Sequence, residues 1–71
     1  MKLPKDMEFF IYLLEHYAAY KGISADQALE SWRSHGLEQE ILANYEMYHT
    51  ERLENAFADI DSLIATGKHA W

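Results

Sequence analysis

The residues best equipped for chemistry are crowded into Tyr45-Glu46-Met47-Tyr48-His49-Thr50 and, after a fixed gap, Asp59-Ile60-Asp61. Phenols, an imidazole and carboxylates meet there, at what should be the junction of two helices. Glu46-x-x-His49 places a carboxylate and an imidazole on one helical face, the i, i+3 arrangement that di-iron bundles use in pairs. No second copy stands in the chain; a symmetric dimer could supply one, with Glu15 or His16 completing the shell. A lone pair falls short of the ligand count of a closed site, so no metal and no other cofactor is expected. His49 is read instead as bonding a backbone carbonyl or a carboxylate at the junction. A small ligand- or metal-binding role built on Glu46 and His49 is the alternative.

Nucleophilic catalysis finds little support. The chain has no cysteine, Ser24 and Thr50 are better explained as helix caps, and Ser31, Ser34, Ser62 and Thr66 fall on polar helix faces with no motif joining them to a histidine. A domain of this size also encloses a deep pocket with difficulty. The expectation is a non-enzymatic protein.

The elements that must position these groups are helical, since no stretch alternates with a strand period. Pro4, with Asp6 and Glu8 behind it, opens a first helix over about residues 5 to 21 that Gly22 closes. Met7, Phe10, Ile11, Leu14, Tyr17 and Ala18 form its apolar stripe, with Phe9, Leu13 and Tyr20 widening it. Ser24 and Gln27 make a capping box for a second helix over about residues 25 to 35, which buries Ala25, Ala28, Leu29 and Trp32 and ends before Gly36. A third helix over about 38 to 48 carries Leu37 at its start, then Ile41, Tyr45 and Tyr48, until His49-Thr50 interrupts it. Thr50 then caps a fourth over about 51 to 66, built on Leu53, Phe57, Ile60 and Ile64, and the tail 67 to 71 frays unless Trp71 folds back. The fold class is therefore all-α: one compact domain, residues 1 to 71, a bundle of about four short helices, with helix-turn-helix-like pairs compatible with the short loops.

Charge narrows the partners. Six Lys and Arg against twelve Asp and Glu give a formal charge of −6, which repels phosphate backbones. The segment from Glu38 to Tyr48, which would be the recognition helix of a DNA reader, holds three acids and no base, so nucleic acid is not expected. The apolar run Phe9 to Leu14 is far shorter than a membrane span and is closed by Glu8 and Glu15. A cytoplasmic protein that does not bind membranes is the expectation, with no signal peptide. The acids favour a basic protein partner, and ten aromatic rings overflow what a small core needs, which points to an interface. The broad stripe of the first helix points to a homodimer.

One spaced pattern runs along almost the whole chain: Phe9-Phe10, Tyr17, Lys21, Ser24, Trp32, Gly36, Ile41, Tyr45-Glu46, His49-Thr50, Asp59-Ile60-Asp61 and Ile64. It resembles a small bacterial family of short helical proteins, domain of unknown function thirty-seven-ninety-one. The chain departs from the family pattern at Tyr48, where a leucine-like residue is usual, and in having no glycine soon after Thr50. Some members are encoded beside ADP-ribosyltransferase-like toxin candidates, so the resemblance implies an antitoxin or accessory partner of such a toxin. It carries the candidate site to Tyr45, Glu46, His49, Thr50, Asp59 and Asp61. With Tyr48 added for its ring, these are the expected partner-binding residues of a protein-interaction module.

Overall fold

The structure, a computed structural model, describes residues 3 to 70. Among these described residues five helices follow one another: α1 Lys5–Lys21, α2 Ala25–Ser34, α3 Leu37–Ala43, α4 Tyr45–Thr50 and α5 Leu53–Thr66. The radius of gyration is 11.3 Å, close to the roughly 11 Å expected of a compact chain this long. The all-α bundle expected from the sequence is the fold. No helix among the described residues is long and apolar enough to cross a membrane.

Local chemistry sets most boundaries. The capping box forms as read, with Gln27 N–H donating to Ser24 Oγ at 3.1 Å and Ser24 N–H donating to Gln27 Oε1 at 2.9 Å. Gly36, at φ 70°, turns the chain from α2 into α3 in a conformation that costs any side chain a clash with its own backbone.

The expected third helix is two helices. Asn44 breaks it: its Nδ2 donates to the Glu40 carbonyl at 2.9 Å and to Glu40 Oε1 at 3.2 Å. An amide bonded to the carbonyl one turn back diverts the backbone, as asparagine does in helix interiors. The break thus comes earlier than His49-Thr50, which lie inside α4. Thr50 is not the cap of the last helix either, because its hydroxyl donates back to Met47 O at 2.9 Å. Arg52 takes the N-cap position without a side-chain bond.

The core sits where α1 meets the other helices. From α1 it takes Phe10, Leu13, Leu14, Tyr17 and Ala18, and Leu13 is fully buried whereas Ile11 is 39% exposed. The stripe is therefore rotated toward Leu13 from the one expected. Ala28 and Trp32 are buried from α2, while Ala25 is exposed and Leu29 half-buried. Trp32 is enclosed between Phe10 and Tyr17, with ring centroids 5.5 and 5.4 Å away. Its Nε1 has no hydrogen-bond partner among the described residues. Such an orphan costs about 1–3 kcal/mol, set against about 3–5 kcal/mol for burying the ring, so packing holds it in place. From α5 the buried set is Ala56, Phe57, Ile60 and Leu63, joined by the carboxylate of Asp59 at 1% exposure.

Candidate functional site

Of the seven residues expected to share one face, exposed Thr50 only bonds back to Met47 within α4, and the other six are distributed over three places. Asp59 and Asp61 stand two apart on α5, and residues at i, i+2 do not face each other on a helix. Asp59 turns inward toward α4 and the tail. Asp61 turns toward α1, accepting from Tyr17 Oη at 2.8 Å and pairing with Lys21 Nζ at 2.9 Å. Burial first, then the Asp61 carboxylate, raises the Tyr17 phenol above its ordinary pKa of 10. Half-exposed Asp61 thus fastens α5 to α1.

Tyr48 and Asp59 form the second place, and neither lies on the exposed surface the sequence reading gave them. Both are 1% exposed. Tyr48 Oη donates to Asp59 Oδ2, which also lies 2.8 Å from His69 Nδ1, while Ala70 N–H donates to Asp59 Oδ1 at 2.5 Å. His69 Nε2 sits 2.6 Å from Glu40 Oε1. A buried carboxylate is tolerated only when its lone pairs are filled, and three donors fill these. The tail up to Ala70 is therefore tied down instead of frayed; Trp71 lies outside the described residues. Burial and then the Asp59 acceptor raise the Tyr48 phenol above its ordinary range, so it stays a donor. Desolvation pulls the His69 imidazolium down, but Glu40 and Asp59 on its two nitrogens outweigh it and hold the pKa above 6.5.

The third place holds Tyr45, Glu46 and His49, on the outer side of α4 where it meets α1. Tyr45 and His49 stack at 4.5 Å and 7°, and His49 Nδ1 lies 3.0 Å from the Tyr45 carbonyl. On α1, Tyr12 and His16 form a similar pair, with rings 4.1 Å apart but tilted by 37°, and His16 Nδ1 2.8 Å from the Tyr12 carbonyl. Phe9 joins the two pairs, 6.4 Å from Tyr12, 5.6 Å from Tyr45 and 6.3 Å from His49. Five rings thus form one continuous strip across two helices. Tyr12 is 48% exposed, His16 and His49 are exposed, and Phe9 and Tyr45 are half-buried. Tyr12 and Phe9 were not expected as site residues, and His16 entered the sequence reading only as a candidate to complete a metal shell. The signal was present in the sequence as Tyr-x-x-x-His written twice, at 12 to 16 and 45 to 49.

Acids border the strip. Glu8 stands one turn before Tyr12, Glu15 one turn after it, and Glu46 one turn before His49, all exposed, with Lys5 at the start of α1. Among the described residues no group of three His, Cys, Asp or Glu side chains is placed to hold a metal ion. Two shallow clefts, about 190 and 210 Å³, flank the tail; both fall below the roughly 300 Å³ at which small-molecule pockets begin.

The family described as Protein of unknown function (DUF3791) matches residues 8–66. The chain belongs to this family. No curated protein and no solved structure matches it. The family segment contains all five rings of the strip and the Tyr48–Asp59 pair, whereas His69 and Ala70, which complete the Asp59 cluster, lie beyond the matched residues.

Proposed function

We propose that the protein is a non-enzymatic interaction module that holds a basic protein partner against the strip formed by Tyr12, His16, Phe9, Tyr45 and His49. The observation that carries this reading is the strip itself: rings in mutual contact, left partly open to solvent and bordered by carboxylates. Aromatic groups with polar tips supply large contact area at low entropic cost and dominate binding hot spots. Glu8, Glu15 and Glu46, backed by a formal charge of −6, steer a cationic surface toward it. Of the residues named from sequence, Tyr45, Glu46 and His49 serve this surface directly, while Tyr48, Asp59, Thr50 and Asp61 hold the helices that present it. By the family resemblance the role is that of an antitoxin or accessory partner of a protein encoded nearby.

The test uses the protein that copurifies with the full chain from its host, identified and then produced separately. Tyr12→Ser and Tyr45→Ser, each shown to be folded, are expected to weaken its binding at least tenfold. Ile23→Ser removes an apolar side chain of 38% exposure outside the strip and should leave binding unchanged. Equal affinity of all three variants would overturn the assignment. Concentration-dependent dimerisation that the same two tyrosine variants abolish would give the strip to a second copy instead.

A further inference from the structure

Beyond α5 the chain turns at Gly67, whose φ of 76° only glycine adopts without strain. The segment then returns across α5. Ser62 Oγ donates to Lys68 O at 2.8 Å, and His69 and Ala70 reach Asp59 as described. His69 stands between two carboxylates on different helices, 2.6 Å from Glu40 on α3 and 2.8 Å from Asp59 on α5. Both of its nitrogens face acceptors, and only the imidazolium carries two N–H donors. A neutral ring would turn a lone pair toward one of the carboxylates.

We propose that residues 67–70 are a proton-gated strap: protonated His69 bridges Glu40 and Asp59 and holds the tail down. Loss of that proton lets the segment swing about Gly67 and uncovers Asp59 and Tyr48. Among the described residues, the groups facing His69 include Glu40 from α3, Asp59 from α5 and, through Asp59, Tyr48 from α4. His35 at the end of α2 lines the same cleft, Glu51 acts on Tyr48, and Lys68 is the neighbouring cation in the strap. Tyr48 stays protonated throughout, so His69 is the switching group.

The direction follows from linkage. The strapped state binds the proton more tightly than a released tail, whose histidine titrates near 6.5. The proton's contribution to closure is therefore fully present below that value and is lost as pH rises through the raised one; between the two, the closing constant falls about tenfold per pH unit. His69 lines one of the two clefts and Ala70 the other, so release opens both along the strap.

The experiment is an NMR titration of the isotopically labelled full chain from about pH 6 to 9, a window spanning the ordinary histidine range. The His69 ring should titrate with a midpoint above 6.5, and the Ala70 amide shift should follow the same curve. His69→Gln, which does not titrate, should abolish the Ala70 transition. Its Ala70 amide should lose at least tenfold in exchange protection at the acid end, while amides of α1 and α2 keep theirs. A wild-type midpoint at or below 6.5, or an Ala70 amide whose shift and protection stay constant through the His69 transition, would overturn the proposal. If His69→Gln does not fold, the wild-type titration decides alone.

Discussion

Replacing Tyr48 by Phe removes one oxygen and keeps the ring that packs in the core at 1% exposure. The oxygen donates to Asp59 Oδ2, a bond between a neutral phenol and a buried carboxylate. Hydrogen bonds to charged groups contribute about 1.5–3 kcal/mol. Asp59 keeps two other donors, His69 Nδ1 and the Ala70 amide, so it is not stranded and the loss belongs near the middle of that range, about 2 kcal/mol. A chain of this size has only about 3–5 kcal/mol in hand, so the variant should remain folded but be visibly weakened. Urea unfolding followed by far-ultraviolet circular dichroism, with a slope of about 1 kcal/mol/M, should show the midpoint falling by about 2 M. The double variant with Asp59→Asn should be less destabilised than the two single losses summed, by about 1 kcal/mol or more. A Tyr48→Phe midpoint within about 0.3 M of the parent, or strict additivity in the cycle, would refute the account of Asp59 as the acceptor that organises α4, α5 and the tail.

Other consequences can be checked with the same material. Wild-type stability should decline from pH 6.5 upward as His69 loses its proton, because its folded-state pKa is raised, and His69→Gln should flatten that decline. Gly36→Ala meets no atom within 4 Å of its new Cβ, yet should cost about 1 kcal/mol through the left-handed backbone alone, read as a lower urea midpoint with an unchanged slope. Tyr17→Phe should cost less than Tyr48→Phe, since its acceptor Asp61 is half-exposed and keeps Lys21. Elemental analysis of the purified chain should find no stoichiometric iron, manganese or zinc. One metal per chain, lost in His49→Ala, would turn the reading toward ligand binding by Glu46 and His49.

The helix ends that were legible are those written in local chemistry: the Ser24–Gln27 box and the glycines at 22, 36 and 67. Where a boundary depends on which of two local bonds a polar side chain makes, sequence decides less. Asn44 bends back to Glu40 and breaks a helix whose apolar spacing runs on through it. Thr50 bonds Met47 behind it instead of the amides ahead. The α1 stripe was broad enough that its centre could not be placed, and packing chose Leu13 over Ile11. The site was legible in part. Tyr45, Glu46 and His49 do lie on an outer surface, but Phe9, which packs on Tyr45 and His49, and Tyr12 beyond it come from a helix more than thirty residues earlier. Asp59 read as a surface acid because two of its three donors, His69 and Ala70, sit in the tail, where no periodic pattern announces a contact; the i, i+2 spacing from Asp61 warned that the two could not share a face.

The most direct measurement of the central claim is the hydrogen-exchange footprint of the full chain in complex with its copurified partner, compared with the chain alone. Binding across the aromatic strip predicts added protection concentrated in residues 8–16 of α1 and 45–50 of α4, weakening as salt is raised while the acids are screened. Protection confined to α2 and α5, with α1 and α4 unchanged, would contradict it.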